Sequence, residues 1–472
     1  MLHMSEYSIA AEMRSGRDYT FSEKIGIVAR LSTPGILAQI SEILMQYIDA
    51  AMVGALGAAA SASIGLVASS TWLFGGLLSA TAAGFSVQVA HATGAGEIGK
   101  AKSIFRQSLS ASLLLSFAIG AAAFVLAQHL PGWLGADSSL WADATAYFSI
   151  YAMFVPARMI RWLCMNMLQC SGNMKIPSIF ASLECLLDVV FNFFLIFPAR
   201  QITFLQMTFM MPGAGLGVAG AQLGTSLAML TGAVMSLFYA FFRSDVLKLQ
   251  GLKGGWKPRK SVVKEAVSIG APMAMEQSAL CAAMVASTRI IAPLGTIAIA
   301  ANSFAVTAES ICYMPGYGIS SAATTLVGQS IGAKRKDLAR SFSWLTTFTG
   351  VSIMTLTGIL MYFACPHVFA FLTPDKEVQR LGVEVLRIEL LAEPLFAASI
   401  VATGCLRGAG DTLIPGLLNL VSIWGIRLTL GFFLTKSMGL AGMWVAMAVE
   451  LSIRGILFLI RLKREKWLKD LI

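Results

Sequence analysis

The sequence has 472 residues, a net charge of +10 and a mean hydropathy of +0.72, with 56% hydrophobic and only 13% charged residues. A soluble protein of this length needs far more charge to cover its surface, so the composition excludes a soluble fold and predicts a multi-pass membrane protein. The positive charge does not indicate nucleic acid as a partner, because the basic residues concentrate in short connections between apolar stretches.

Twelve stretches are apolar and long enough to cross a bilayer, which takes about 20 helical residues. Gly and Pro inside them argue little against helix, because membrane helices contain both more often than soluble helices do. The predicted spans are 26–53, 62–90, 104–130, 143–170, 175–198, 216–242, 263–292, 299–328, 338–366, 380–406, 413–435 and 438–460.

Lys and Arg concentrate in alternate connections between these spans. Basic clusters follow spans 2, 6 and 8 and fill the tail, whereas residues 54–61 and 293–298 carry no charge. This distribution follows the positive-inside rule, so it predicts a cell-membrane protein with both termini in the cytoplasm. We therefore expect a cytoplasmic N-terminal segment (1–25) and a basic cytoplasmic tail (461–472).

The second half of the sequence repeats the first at an offset of 238 residues. Gly and Pro at fixed positions carry the match: Pro34 meets Pro272, Leu56-Gly57 meets Leu294-Gly295, Pro156 meets Pro394, Gly172 meets Gly410, and Pro177 meets Pro415. Beyond 177 the offset falls to 222, because the first half carries about sixteen extra residues around 198–214.

Each repeat holds six spans, an even number, so both repeats should have the same orientation and be related by an axis along the membrane normal. We expect an all-α fold of two pseudo-symmetric six-helix lobes, 26–242 and 263–460, around a central cleft. The polar, Gly-rich stretch 243–262 is predicted to be the cytoplasmic linker between them.

Three motifs occur within this duplicated framework. They are Pro34, Asp49, Gly54 and Gly57 in span 1, "TTLVGQSIGAKR" after span 8, and "LRGAGDTLIP" after span 10. In this order they resemble the multidrug and toxic compound extrusion (MATE) family over roughly residues 25–460. The resemblance implies a secondary active antiporter that exports amphipathic organic cations in exchange for inward Na⁺ or H⁺.

The resemblance also implies positions for a cation-coupling site. In the first lobe it implies the span-1 acid Asp49, the span-5 pair Asp188 and Asn192, and the span-6 hydroxyl of Thr225. Relatives often have Asn first and Asp second in that pair, and this chain has the reverse order.

In the second lobe the resemblance implies Glu276 in span 7. Some subfamilies also have an acid in the middle of span 10, where this chain has Phe396 and places Glu393 about one turn earlier. The second lobe therefore departs from the acid pattern of a sodium site of that type.

Counting residues along the spans places the acids independently of the resemblance. At about 1.5 Å per residue, Asp188 and Glu276 each lie about 20 Å into their spans, near the middle of the membrane. Asp49 falls in the outer half of span 1, so it could meet Asn192 in a polar pocket on the outward side of the first lobe.

Desolvation disfavours the charged form of a carboxylate at such a depth, so Asp49 could take up a proton. Alternatively, the oxygens of Asp49, Asp188 and Asn192 could bind Na⁺. In either case the carboxylate is neutralised and released as the two lobes rock between outward-open and inward-open states. The structural alternative for each acid is simple pairing with a neighbouring helix.

Two other classes of function fit the sequence less well than an antiporter does. A lipid-linked precursor flippase should line its cleft with cationic residues, whereas the mid-span arginines are scattered over several spans: Arg158, Arg161, Arg289, Arg427 and Arg454. A metal-dependent intramembrane enzyme is disfavoured because the four His are not clustered. We expect no enzymatic activity, no cofactor beyond the coupling ion, small organic cations and the lipid bilayer as partners, and a monomer.

Overall fold

Helices form nearly all of the protein in the computed structural model, which describes residues 8–135, 137–204, 207–249 and 255–468. The first repeat contains α1 (Ser8–Arg14), α2 (Phe21–Gly54), α3 (Ala58–Ala95), α4 (Ile98–Ala127), α5 (Leu130–Trp133), α6 (Trp141–Met153), α7 (Val155–Cys170), α8 (Lys175–Ile196) and α9 (Gly217–Phe242). The second contains α10 (Lys260–Ile291), α11 (Thr296–Gly332), α12 (Lys336–Leu372), α13 (Lys376–Leu390), α14 (Glu393–Gly408), α15 (Leu413–Ser422), α16 (Thr429–Met438) and α17 (Leu440–Arg464). Between α15 and α16 the chain continues as a π-helical segment, Ile423–Leu428.

Within the described chain, ten helices are long and apolar enough to cross a membrane, counting α15 to α16 as one. The protein is therefore a multi-pass membrane protein. The two remaining predicted spans, 143–170 and 380–406, each correspond to a pair of shorter helices, α6 with α7 and α13 with α14. The total of twelve spans stays a prediction.

The breaks in these two pairs lie at equivalent prolines of the repeats. Pro156 and Pro394 each stand in the first turn of the second helix of their pair. Proline lacks the N–H that would continue the preceding helix and clashes with its last turn, so it favours a break at this point, although Pro34 and Pro272 are accommodated inside α2 and α10. The repeated sequence thus produces the same interruption twice.

α2 begins earlier than the hydrophobic pattern predicts because polar residues initiate it. The side chain of Thr20 accepts a hydrogen bond from the backbone N–H of Glu23 at 3.3 Å, and the Glu23 side chain accepts one from the Thr20 backbone at 2.8 Å. This capping box starts α2 at Phe21, five residues before the predicted span.

The all-α expectation is wrong at the connection after α8. Pro198–Phe204 and Met207–Ala214 form a two-stranded antiparallel hairpin there, within the region that the repeat comparison identified as extra sequence. The segment contains several β-branched and aromatic residues, a composition typical of strands.

The two repeats pack against each other through their first two long helices. α2 lies along α11, and α3 lies along α10. Gly35 and Gly318 permit the first approach, since a Cβ on Gly35 would lie 2.6 Å from the Gly318 carbonyl oxygen. Further along the same pair, the Tyr47 hydroxyl donates to the Thr307 carbonyl at 2.5 Å. The predicted linker between the repeats, 243–262, lies partly outside the described residues, and α10 already begins at Lys260.

Candidate functional site

Four polar side chains of the first repeat meet between α2, α8 and α9. Asn192 donates from Nδ2 to Asp49 Oδ1 at 2.6 Å and to Asp188 Oδ2 at 3.1 Å. Thr225 donates from Oγ1 to Asp49 Oδ2 at 3.4 Å. The structure therefore brings together all four residues singled out in this repeat. We call Asp49, Asp188, Asn192 and Thr225 the N-terminal cluster.

Helix geometry explains why these side chains converge. Asp188 and Asn192 are four residues apart, so they lie on one face of α8, which packs against both α2 and α9. The approach of α9 depends on Gly224, because a Cβ at that position would lie 2.0 Å from Asn192 Oδ1. Gly224 thus makes room for the amide that bridges the two carboxylates.

The N-terminal cluster is half-buried at Asp49 and Thr225 and fully buried at its other two members, and it has no basic partner in the described chain. Asp188 and Asn192 are fully buried, and Asp188 Oδ1 has no hydrogen-bond partner among the described residues. The core arginines of this repeat are engaged elsewhere: Arg161 pairs with Glu184 at 2.9 Å, and Arg158 donates to Met229 and Ser226. The two carboxylates therefore lack the arginine that a purely structural acid would use.

Two ionised carboxylates this close together in a buried site would repel each other and lose their hydration. A bound proton or a small cation removes that cost. No group of three or more His, Cys, Asp or Glu suited to a metal ion occurs in the described part of the chain. A Na⁺ at this place would therefore have to be held by two carboxylates supplemented by neutral oxygens, which are ligands that hard cations accept.

Glu276, the acid predicted from span 7, has basic and amide partners. Arg407 on α14 donates from Nη2 to Glu276 Oε2 at 2.9 Å, and Asn419 on α15 donates to Oε1 at 2.5 Å. This arrangement satisfies both carboxylate oxygens and differs from that of the N-terminal cluster. The structure does not bring Glu276 together with Asp49 or Asp188.

Glu393 lies in a different environment, beside an acid that the sequence interpretation missed. Glu393 at the start of α14 and Glu389 near the end of α13 are both fully buried. None of their four carboxylate oxygens has a hydrogen-bond partner among the described residues. An uncompensated buried charge is very costly, so we expect both carboxyl groups to be neutral. In the sequence, this pair was indicated by the spacing of four residues between the two glutamates, on either side of the break between α13 and α14.

A cavity of about 370 Å³ lies within the second repeat, between α10, α11, α14, α17 and the π-helical segment. We call it the C-terminal cavity. Glu276 and Glu309 line it together with three arginines, Arg407, Arg427 and Arg454. The expectation that the arginines are scattered is therefore wrong for Arg427 and Arg454. They belong to different spans, but the helices turn both side chains toward one space.

The family comparison matches both halves of the chain. The MatE family model covers residues 34–194 and again 272–433. The chain belongs to the MatE family. This finding confirms the resemblance to the MATE transporters, and the two matched segments agree with the internal repeat.

Curated relatives of this MATE protein match over almost their full length. A probable multidrug resistance protein NorM of Thermotoga maritima is 26% identical over 93% of this chain and 92% of its own. Another from Idiomarina loihiensis is 27% identical, with 93% of each chain covered. An uncharacterized transporter of Bacillus subtilis, YisQ, is 24% identical over 83% of this chain and 84% of its own.

Solved MATE structures share the fold at low sequence identity. An outward-facing multidrug resistance MATE family transporter of the MOP superfamily has a TM-score of 0.85 at 17% identity, covering 97% of this chain and 98% of that one. The Vibrio cholerae MATE transporter VcmN in its bent form has a TM-score of 0.82 at 17% identity, covering 95% and 98%. This MATE protein is thus a member of a membrane transporter family, and that family is not one of enzymes.

Proposed function

We propose that this MATE protein is a multidrug efflux antiporter that exports amphipathic organic cations in exchange for inward Na⁺ or H⁺. The observation that carries the proposal is the N-terminal cluster. It places two carboxylates around one amide, Asn192, in a buried site without a basic partner in the described chain. The family membership and the NorM relatives support multidrug export as the direction of transport.

The coupling follows from the cost of burying negative charge. When the cluster is open to the outside, a proton or Na⁺ removes one of the two negative charges of Asp49 and Asp188 and with it their mutual repulsion, so that the closed and inward-open states become accessible. Release of that ion to the cytoplasm restores the negative charge, and the return to the outward-open state becomes favourable once an organic cation has bound and compensates it. Export is then driven because the ion accompanies the inward transition of the two lobes and the cargo accompanies the outward one.

The remaining assignments are part of the same proposal. The chain crosses the cell membrane twelve times with both termini in the cytoplasm, and the two lobes rock as a monomer. Glu393 belongs to the ion-responsive groups because it is buried without a hydrogen-bond partner among the described residues. Glu276 lines the C-terminal cavity, but its pairing with Arg407 argues against an exchange of ions at that carboxylate.

The alternative function, a lipid-linked precursor flippase, gains one observation from the three arginines in the C-terminal cavity. Their charge is largely compensated, since Arg407 pairs with Glu276 while Arg427 and Arg454 share Glu450. A cavity of about 370 Å³ is also small for a lipid-linked sugar. The antiporter therefore remains the better proposal.

The decisive experiment is export of ethidium from proteoliposomes under a Na⁺ gradient and, separately, under a H⁺ gradient. We expect one of the two gradients to drive uphill export in the wild type. Asp49→Asn should abolish this export, whereas the matched variant Asp143→Asn should not, because Asp143 is an exposed acid in the first turn of α6. Undiminished uphill export by Asp49→Asn would remove Asp49 from the mechanism, and export under neither gradient would favour the flippase.

A further inference from the structure

The arginines of the C-terminal cavity are not equally neutralised. Arg407 has its own carboxylate, Glu276, at 2.9 Å. Arg427 and Arg454 share a single carboxylate, since Glu450 lies 2.6 Å from Arg427 Nη2 through Oε2 and 3.1 Å from Arg454 Nε through Oε1. Two guanidinium groups around one carboxylate leave a local surplus of positive charge beside Glu450, although the three arginines stand against three carboxylates in all once Glu309 is counted.

Part of this surplus faces the open space. Arg454 lines the cavity, and its two Nη atoms make no hydrogen bond to the described residues. Arg407 also lines the cavity and uses only Nη2, for Glu276, while its Nε is buried without a hydrogen-bond partner in the described chain. A guanidinium with free N–H groups is suited to a carboxylate or phosphate, which it can bind through two parallel hydrogen bonds.

The rest of the lining combines aromatic and apolar side chains with hydroxyl and amide side chains, namely Ser287, Thr288, Asn302, Ser320, Ser399, Thr403 and Asn419. Tyr313 makes edge-to-face contacts with Tyr317 and Phe396, with ring centroids 5.9 and 5.7 Å away, and the Arg454 guanidinium lies 5.5 Å from the Phe396 ring. The volume of about 370 Å³ is in the range of sites for small ligands and suits one bicyclic ring system. An occupant that fits is an aromatic molecule with one anionic group.

The backbone at this wall is irregular. Arg427 lies in the π-helical segment Ile423–Leu428, which interrupts the span formed by α15 and α16. Such segments are rare and occur often at functional sites. Here the irregular turn lies where Arg427 reaches Glu450 and leaves that acid shared with Arg454.

We propose that the C-terminal cavity is a binding site for small amphipathic aromatic carboxylates, with the carboxylate held by Arg454 and Arg407. Glu309 lines the same cavity and makes no hydrogen bond to the described residues, so its charge opposes a bound anion and favours a bound cation. The cargo of the transporter thus includes carboxylates as well as organic cations. The inference rests on the proposed function only in treating the bound molecule as cargo.

Two ligands with the same ring and opposite charge test the binding site directly. Indole-3-propionate and tryptamine are titrated into the purified full-length protein by isothermal calorimetry, with no ion gradient present. We expect saturable binding of indole-3-propionate to the wild type. Farnesyl monophosphate is included as a third ligand, since a lipid phosphate carries the same anionic chemistry on a longer chain.

Variants with opposite expected effects locate the site. Arg454→Gln should weaken indole-3-propionate about 10- to 100-fold, because hydrogen bonds to a charged group are lost, and should leave tryptamine unchanged or tighter. Glu309→Gln should do the reverse, strengthening the anion and weakening the cation. Arg289→Gln is the matched control, since it removes one positive charge from an exposed position on α10 and should change neither affinity.

The result does not depend on ion coupling, so it can fail separately from the proposed function. Absence of indole-3-propionate binding to the wild type would overturn the proposal even if ethidium export is intact. Equal weakening of both indoles by Arg454→Gln would also overturn it, as would binding of farnesyl monophosphate alone. If Arg454→Gln does not fold, Arg454→Lys keeps the charge, and it should weaken indole-3-propionate by losing the paired hydrogen bonds.

Discussion

The two halves of the molecule have the same helical plan but place their ionisable groups at different positions of the repeat. Under the offset of 238 residues, Asp49 corresponds to Ser287. The starts of α8 and α15 are also 238 residues apart, because the extra residues follow α8, so Asp188 corresponds to Ile426, and neither counterpart is acidic. The N-terminal cluster therefore has no counterpart in the second half. Both repeats have the same helical scaffold, but the carboxylates of this cluster occur only in the first repeat.

The second half has acidic residues of its own, at positions where the first half has none. Glu276 corresponds to Ala38 and Glu309 to Thr71 in the first half. Its acids include Glu276 and Glu450, which are paired with arginines, whereas Asp49 and Asp188 pair with no basic residue of the described chain. Paired acids hold a structure or shape a binding site, whereas unpaired buried acids respond to protons and ions. Within the proposed function, ion coupling therefore belongs to the N-terminal cluster and to the unpaired acids Glu389 and Glu393 of the second half, whereas the paired acids of the second half shape the C-terminal cavity.

The largest effect is expected from Asp188→Asn, which removes one of the two carboxylates that distinguish the first half from the second. Asp188→Asn should reduce gradient-driven ethidium export to less than about a tenth of the wild-type rate, because a neutral amide no longer needs the coupling ion. Glu276→Gln in the other half should retain coupled export per folded molecule. Export rates in proteoliposomes, normalised to inserted protein, check both variants, and loss of coupling in Glu276→Gln alone would reverse the assignment.

A second variant tests the packing that holds the N-terminal cluster together. Gly224→Ala should lower coupled export roughly tenfold, because its Cβ would displace the Asn192 side chain that it would otherwise contact at 2.0 Å. Gly65→Ala on α3 is the control, since its Cβ meets no heavy atom within 4 Å. Initial rates of ethidium export measure the difference, and equal rates would show that Asn192 need not keep its position.

The third prediction concerns stability in the second half. Glu276→Gln should destabilise the protein by about 1–3 kcal/mol, because Arg407 loses its carboxylate partner in a mostly buried site. Thermal unfolding of the detergent-solubilised protein should show a lower midpoint. An unchanged midpoint would mean that the Glu276–Arg407 pair contributes little to the fold.

The smallest expected effect belongs to the edge of the N-terminal cluster. Thr225→Val removes a hydroxyl that lies 3.4 Å from Asp49 Oδ2 and 3.1 Å from the Ala221 carbonyl oxygen, and it should weaken the apparent affinity for the coupling ion about two- to tenfold. The dependence of export rate on the concentration of the driving ion gives this affinity. A complete loss of export would instead place Thr225 among the essential ligands.

Much of the fold could be predicted from the sequence because hydrophobic length and repeated Gly and Pro are local signals. Pro156 and Pro394 were recognised as equivalent positions of the repeat, but the interruption that each accompanies was not predicted, since 143–170 and 380–406 were each predicted as one helix. The hairpin after α8 was missed because its strands are short and lie next to apolar spans. A polar initiation signal at Thr20 makes α2 longer than the apolar stretch from which its span was predicted.

The residues of the N-terminal cluster could be predicted from the sequence better than those of the C-terminal cavity. Asp49 and Asn192 could be matched by depth along their helices, and Asp188 follows from the spacing of four residues on α8. The arginines of the C-terminal cavity could not be matched in this way. Whether Arg407 and Arg454 face one space depends on the rotation of helices far apart in sequence, and depth alone carries no information on rotation.

The most direct test of the central claim follows the coupling ion instead of the cargo. In proteoliposomes preloaded with ethidium, entry of ²²Na⁺ and of protons, the latter by an internal pH dye, is recorded while ethidium leaves. We predict that one of these ions enters together with ethidium export in the wild type. Asp49→Asn should stop this entry while ethidium still moves down its own gradient. Ion entry at the wild-type rate in Asp49→Asn would contradict the account.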